Sequence, residues 1–127
     1  EYAVVYNQYK GVQKAQVLAA LAAGKDTVMR LDVQGAQVIK GRIPGAVTVF
    51  LAPSSTRALK ARLESRGVDR PEQIAQRLAT AEAEIALAES FDYVVINHDG
   101  RLCEAARQIL AIMDAEKRRT ARRPLEL

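Results

Sequence analysis

The stretch VMRLDVQGA, residues 28–36, is a mostly apolar run that ends on Asp32. Continuous apolar runs, in contrast to alternating ones, are typical of strands covered on both faces, as in parallel sheets. We therefore predict a strand over residues 27–31 whose carboxyl end reaches the surface at Asp32. Ligands of open parallel sheets bind beyond such strand ends, so the pattern also predicts a ligand crevice there.

The rest of the chain repeats this pattern, with two further predicted strands at residues 47–52 and 93–96. Glycine caps, a serine N-cap and an N-terminal proline mark the helices between them. The predicted helices cover 15–23 before Gly24, 35–41, Ser54 or Ser55 to Arg66 before Gly67, a long segment from Pro71, and 102–116. This order predicts an α/β sheet with helical crossovers.

Two helices carry an apolar stripe at helical spacing that predicts their packing faces. The first stripe is Ile74, Leu78, Ala81, Ile85 and Ala88, and the second is Leu102, Ala106, Ile109 and Met113.

Residues 1–6 could add a strand, followed by a turn over residues 7–11, and together they suggest a small lobe.

The composition is that of one domain: 127 residues, 49% of them hydrophobic. No apolar run reaches membrane-spanning length and no secretion signal is visible, so we expect no membrane association. The single cysteine, Cys103, lies in a helical pattern, which suits packing in a reducing compartment. The net charge of +4 is concentrated in a basic tail, residues 117–127. Such a tail more often stabilises the C-terminal end of a helix or increases solubility than it binds nucleic acid, so we expect no DNA binding.

Polar residues at the strand ends allow two interpretations. Asp32 and Asn97 both directly follow predicted strands, where they would face a ligand crevice. Alternatively, Asp32 caps the next helix and Asn97 opens a turn into His98. Spacing alone favours capping.

Three arginines also allow two interpretations. Arg62 and Arg66 lie four positions apart on one predicted helix, and Arg77 lies on the next. Their guanidinium groups could clamp a polyphosphate. The alternative is solvent-exposed arginines paired with Glu64, Asp69 or Glu72. Without further information the second interpretation is favoured.

Several kinds of site are excluded by the sequence. The phosphate-binding pattern G-x-x-x-x-G-K-[ST] does not occur, and Gly24-Lys25 is only a fragment of it at a helix end. One histidine and one cysteine cannot build a zinc site, so no metal ligands are predicted. The scarcity of aromatic residues also disfavours a stacking platform for single-stranded nucleic acid.

Taken together, several segments resemble the guanylate kinase family, in order and spacing, over residues 1–116. The resemblance is closest to plant and algal organellar members. The segments are EYA, YKG, AALAAGKDTVMRLDVQGA, LKARLESRG and QRLATAEAEIALAESFDYVVIN. The resemblance implies an α/β fold of the P-loop NTPase type, a parallel sheet with helical crossovers, and phosphoryl transfer from ATP to GMP with Mg²⁺.

The resemblance also implies roles for individual residues. Arg62, Arg66 and Arg77 would clamp phosphates from a lid at about 62–77, and Asn97 would contact the adenosine side. Residues 1–14 would be the second half of a GMP-binding lobe, and 15–116 the remaining core. The implied GMP-binding residues are Glu1, Tyr9, Lys10, Asp32, Gln34 and Gly35.

The sequence departs from the family pattern in two ways. It starts at Glu1, without the family's first strand and phosphate loop, so we expect the 127 residues alone to be inactive and prone to aggregation unless another segment or chain completes the sheet. Lys10 replaces a phosphate-binding tyrosine, and Val12 replaces a guanine-binding hydroxyl. Two hypotheses follow: part of a working guanylate kinase, in the cytoplasm or an organelle, or a non-catalytic interaction module of the same fold.

Overall fold

The computed structural model describes residues 2–5 and 8–121, and side-chain surroundings from Gly11 onward. These residues fall into two compact units that meet between Val47 and Thr48 in the sequence. Each unit is described by itself.

The first unit contains a β-hairpin and two helices. Strands β1 (Tyr2–Val5) and β2 (Gln8–Gly11) pair antiparallel, with Tyr2 opposite Gly11 and Val5 opposite Gln8. Helix α1 (Lys14–Ala22) and helix α2 (Val33–Arg42) follow. The turn predicted over residues 7–11 was therefore wrong for residues 8–11, because backbone pairing with β1 outweighs their polar composition.

Residues 27–31 do not form the strand predicted for them. The segment pairs with no strand among the described residues, and Val28 is 71% exposed. A strand requires a neighbour for its backbone N–H and C=O groups, and an apolar sequence cannot replace that neighbour. The predicted Gly24 cap is confirmed, since Gly24 takes a φ of 70° just after α1.

The second unit is an α/β arrangement with a parallel strand pair. Strands β3 (Val49–Pro53) and β4 (Tyr93–Asn97) pair in parallel, with Val49 opposite Tyr93 and Pro53 opposite Asn97. The crossover contains helix α3 (Thr56–Arg66), helix α4 (Pro71–Ile85) and a short 3₁₀ turn (Ala88–Ser90). Helix α5 (Leu102–Lys117) follows β4 and packs against it. The predicted α/β class and helical crossovers are confirmed.

The core of the second unit is small. Phe50, Leu63, Val95 and Ala105 are buried, and the ring of Phe91 meets that of Phe50 edge to face at 5.3 Å between centroids. Burial of such apolar surface is the main force that holds strands and helices together.

The predicted two-sided cover of the strands was wrong, because about half of each of three strand side chains is exposed: Leu51, Val94 and Ile96. Described residues cover these strands only in part.

The stripe predicted for α5 was wrong at its first half. Leu102 is 68% exposed and Ala106 is exposed, whereas Ala105 is buried. Ile109 and Met113 are half-buried, as the second half of the stripe predicted, so the packing face is turned by less than the roughly 100° that separates successive helical residues. Cys103 is also exposed, so its predicted packing role was wrong. In α4 the stripe is half-buried at Ile74, Leu78 and Ala81 but exposed at Ile85.

Candidate active site

Local sequence signals fix the two helices that carry the three arginines. Ser55 Oγ accepts a hydrogen bond from the Ala58 N–H at 3.0 Å, which caps α3 and decides between the two predicted serines. Gly67 ends α3 with a φ of 66°, a left-handed conformation that favours glycine. Pro71 begins α4, where its missing N–H costs nothing. Arg62 and Arg66 therefore lie one turn apart near the end of α3.

The Arg62 guanidinium is bound at two points, one on the last residue of β4 and one in the turn that follows. Nε donates to Asp99 Oδ1 at 2.5 Å, and Nη2 donates to the Asn97 carbonyl oxygen at 2.6 Å. A hydrogen bond between charged groups is stronger than a neutral one. Arg62 thus joins α3 to the carboxyl end of β4, through a carboxylate other than the three predicted partners.

Arg77 forms an ion pair with one of the predicted acids. Its Nε lies 3.4 Å from Asp69 Oδ2, and the Asp69 side chain is only 7% exposed. Asp69 belongs to the connection between α3 and α4, so this pair fixes that connection to α4. The alternative of structural pairing is thereby confirmed for Arg77 and Asp69.

Arg66 differs from the other two. Its side chain is exposed and makes no hydrogen bond or ion pair with any part of the chain that the structure describes. Of the three predicted clamp residues, Arg66 is the one whose donor groups contact no described residue.

Asp32 caps helix α2, as the capping interpretation predicted. Its Oδ1 accepts the Gly35 N–H at 3.0 Å, and its backbone precedes the first helical residue, Val33. Oδ2 accepts no hydrogen bond within residues 11–121, and the side chain is half-buried. One oxygen is therefore used by the fold and the second remains as an acceptor at the amino end of α2.

The remaining predicted GMP contacts are placed only in part. Gln34 is exposed in the first turn of α2, and Gly35 is buried with its N–H on Asp32. Tyr9 and Lys10 lie in β2, but their side chains, like Glu1, fall outside what the structure describes. Asp32 belongs to the first unit and the three arginines to the second, so each is described within its own unit.

Asn97 ends β4 and opens a turn, as predicted. The Arg101 N–H donates to the His98 carbonyl at 3.1 Å, and Gly100 takes a φ of 70° inside the turn. His98 is exposed, which agrees with its prediction as a surface turn residue. Within the part of the chain that is described, no three His, Cys, Asp or Glu side chains are grouped as a metal site.

Sequence reasoning missed Asp99. Its contact with Arg62 spans 37 residues, so no periodic pattern reveals it. The signal that was present is its position, two residues beyond the end of a parallel strand, where side chains of neighbouring elements converge.

Comparison with known proteins identifies the family. The family model described as guanylate kinase matches residues 1–116. This chain belongs to the guanylate kinase family. The expectation drawn from the sequence motifs is confirmed.

Individual relatives agree with this assignment. A "Guanylate kinase" of Thermus thermophilus is 46% identical over 96% of this chain and 54% of its own length. "Guanylate kinase 2, chloroplastic/mitochondrial" of Oryza sativa subsp. japonica is 38% identical over 100% of this chain and 45% of its own. The crystal structure of guanylate kinase from Anaplasma phagocytophilum superposes with a TM-score of 0.77 at 28% identity, covering 96% of this chain and 57% of that one. The chain therefore spans about half the length of these guanylate kinases. No helix among the described residues has the length and apolar character to cross a membrane.

Proposed function

We propose that the protein containing this chain is a guanylate kinase that transfers the γ-phosphoryl group of ATP to GMP. The observation that carries the proposal is the family match over residues 1–116. In the reaction, a phosphate oxygen of GMP forms a bond to the γ-phosphorus of ATP while the bond from that phosphorus to the bridging oxygen breaks. The products are GDP and ADP.

On the GMP side, the free oxygen of Asp32 has the chemistry to recognise guanine. Guanine presents N–H donors on the edge where adenine presents an acceptor, so a carboxylate acceptor selects guanine. Oδ1 is fixed by the Gly35 N–H, which orients Oδ2. We assign Glu1, Tyr9, Lys10, Gln34 and Gly35 to the same nucleotide, as the family resemblance implies.

On the ATP side, the arginine helices have the chemistry to bind phosphates. A guanidinium offers a planar fork of donors that matches phosphate oxygens. Among the residues with described side chains Arg66 has no partner for its donors, whereas Arg62 and Arg77 already contact Asp99 and Asp69. We assign Arg66 to the transferring phosphates directly, Arg62 and Arg77 to the same clamp, and Asn97 to the adenosine side.

The positive charge of these arginines accounts for much of the chemistry required. Phosphoryl transfer needs two nucleotides positioned in line and the charge on the equatorial oxygens neutralised. A helix that brings Arg66 over the phosphates neutralises part of that charge and excludes water. Mg²⁺, when bound with ATP, neutralises phosphate oxygens. The described residues contain no group of three His, Cys, Asp or Glu side chains that could hold it.

The experiment that tests the proposal separates the two roles of Asp32 in the protein as its gene encodes it. Asp32→Asn keeps a side-chain oxygen for the Gly35 N–H, and asparagine is an equally good N-cap, so stability should change little. The charged acceptor for guanine is lost, so the KM for GMP should rise by about tenfold or more. GDP formation is followed by a coupled assay for ADP. No GDP formation by the unaltered protein with ATP, Mg²⁺ and GMP would overturn the proposal.

Two residues favour a second candidate, a non-catalytic interaction module of the same fold. Lys10 and Val12 stand where the family pattern has a tyrosine and a hydroxyl residue. Valine cannot donate the hydrogen bond of that hydroxyl, a loss of about 0.5–1.5 kcal/mol in GMP binding. Calorimetry with GMP distinguishes the two candidates. A kinase binds GMP at millimolar concentration, whereas an interaction module does not.

We extend the proposal to the compartment. The protein would work in the cytoplasm or in an organelle. The exposed Cys103 agrees with a reducing environment, where a free thiol persists. The rice relative is named as chloroplastic/mitochondrial, and the Thermus relative is a bacterial protein.

A further inference from the structure

Asp99 is not among the residues that the sequence or the family resemblance singled out, yet its carboxylate binds one of the three arginines, Arg62. Its Oδ1 lies 2.5 Å from Arg62 Nε, and the same guanidinium donates to the Asn97 carbonyl at 2.6 Å. Two donors of one rigid group therefore bind the end of β4 and the turn that follows it. Such a bidentate contact fixes orientation as well as distance.

We propose that Asp99 is a positioning residue that fixes Arg62, and through it the carboxyl-terminal half of helix α3, to the nucleoside-binding end of strand β4. This inference rests on the proposed kinase function only for its kinetic consequence. The anchor itself is a property of the folded chain.

The loop has the geometry that such an anchor needs. The Arg101 N–H closes a turn onto the His98 carbonyl at 3.1 Å, with Asp99 and Gly100 inside it, and Gly100 takes a φ of 70°. The turn leads directly into α5, whose Ala105 N–H donates to the Arg101 carbonyl at 3.2 Å. Asp99 is therefore carried between two fixed elements.

Helix α3 is held from a second side at the neighbouring residue. Leu63 is buried at 6% exposure, while Arg62 is one-third exposed and reaches to the loop. Arg66 follows one turn later on the same helix. Fixing Arg62 therefore also sets the position from which Arg66 reaches a phosphate, since a helix moves as a rigid element over one turn.

The consequence is a coupling between the adenosine side and the phosphate clamp. Loss of Asp99 releases Arg62 from the loop and leaves the position of α3 relative to Asn97 less defined. We expect the KM for ATP to rise by about tenfold, the typical loss for a hydrogen bond between charged groups, while the KM for GMP changes little. A general loss of stability would affect both substrates alike.

The test uses the protein as its gene encodes it, with the variants Asp99→Ala and Asp99→Asn. Glu104→Ala is the matched control, because Glu104 is a nearby acid paired with another arginine, Arg101, at 3.4 Å. Two readouts are taken: the KM values for ATP and GMP, and the NMR signal of the Arg62 Nε–H, assigned by its loss in Arg62→Lys. Asparagine retains an acceptor oxygen, so the KM for ATP and the Arg62 signal of Asp99→Asn should lie between those of the unaltered protein and of Asp99→Ala. If Asp99→Ala does not fold, Asp99→Asn still provides the test.

We expect Asp99→Ala to shift the Arg62 signal to that of a solvent-exposed arginine and to raise the KM for ATP selectively, with no change in Glu104→Ala. An unchanged Arg62 signal in both Asp99 variants would overturn the anchor. Equal changes in both KM values, or none, would overturn its positioning role. If the unaltered protein makes no GDP, the kinase proposal fails by itself, and the positioning role is then decided by the calorimetric affinity for ATP, which must fall in Asp99→Ala and not in Glu104→Ala.

Discussion

Asp69 and Arg77 form an ion pair across the connection between helices α3 and α4, with 3.4 Å between Oδ2 and Nε. The carboxylate is 7% exposed, and its Oδ2 makes no hydrogen bond of good geometry. A charge in this position depends on its partner, because desolvation of an unpaired carboxylate is costly. The pair therefore fixes the connection between the two arginine-bearing helices to α4.

Neutralising Asp69 should destabilise this connection. Asp69→Asn removes the charge that Arg77 faces and leaves a buried amide in its place, so we expect the free energy of unfolding to fall by about 1–3 kcal/mol. The measurement is urea denaturation of the protein as its gene encodes it. Asp114→Asn is the control, since its pair with Arg118 is 3.8 Å long and about three-quarters exposed on both sides, and surface pairs contribute about 0–1 kcal/mol. Equal effects of the two substitutions would contradict the role given to Asp69.

The N-cap of α3 offers a second test with an adjacent control. Ser55→Ala removes the acceptor of the Ala58 N–H and should cost about 1 kcal/mol. Ser54→Ala changes an exposed serine that makes no side-chain hydrogen bond among the described residues, and should cost less than about 0.5 kcal/mol. The measurement is the hydrogen-exchange rate of the amides in the first turn of α3, which should rise more in Ser55→Ala than in Ser54→Ala. Faster exchange in Ser54→Ala than in Ser55→Ala would show that the other serine is the cap.

The tyrosine at the start of β4 should make stability depend on pH in alkali. The Tyr93 hydroxyl donates to Glu116 Oε1 at 2.5 Å, and this hydrogen bond is the main cause that raises the pKa of Tyr93 above 10.0. The folded state therefore holds the proton more tightly than the unfolded state. The stabilisation is complete below pH 10.0 and is lost as the pH rises through the raised pKa of the folded state.

Tyr93→Phe removes the titrating group and should abolish this part of the alkaline loss of stability. Thermal unfolding between about pH 8 and pH 11 measures it, around the ordinary tyrosine pKa. Ultraviolet titration of tyrosine ionisation should show one ionising tyrosine fewer in the variant, and the missing one should be a tyrosine with a raised pKa. An identical decline of stability with pH in both proteins would contradict the assignment.

Local signals in the sequence predicted the helices well and the sheet less well. Gly24, Gly67 and Pro71 lie where the sequence placed helix ends, because caps depend on a few adjacent residues. The segment 27–31 has the composition of a strand yet pairs with none in the described chain, since a ladder depends on residues distant in sequence.

The candidate site divides in the same way. The spacing of Arg62 and Arg66 placed them on one helix, and the motif containing Asp32 placed it at a helix start. The partners could not be predicted locally: Arg62 contacts Asp99, 37 positions later, and not an acid on its own helix or turn. Asp32 caps α2 through Oδ1, as one of the two interpretations predicted, and the ligand role of Oδ2 stays a prediction.

The central claim is that the arginine helices serve phosphoryl transfer, and Arg66 tests it most directly. Arg57 is the matched control: the same side chain on the same helix, exposed, and likewise without an ion pair or hydrogen bond among the described residues. The measurement is kcat for GDP formation from GMP and ATP by the protein as its gene encodes it, with Arg66→Ala beside Arg57→Ala. We predict a loss of about 10²–10³-fold in Arg66→Ala, the size typical of removing a donor to transition-state charge, and no change in Arg57→Ala. Equal kcat values in the two variants would contradict the account.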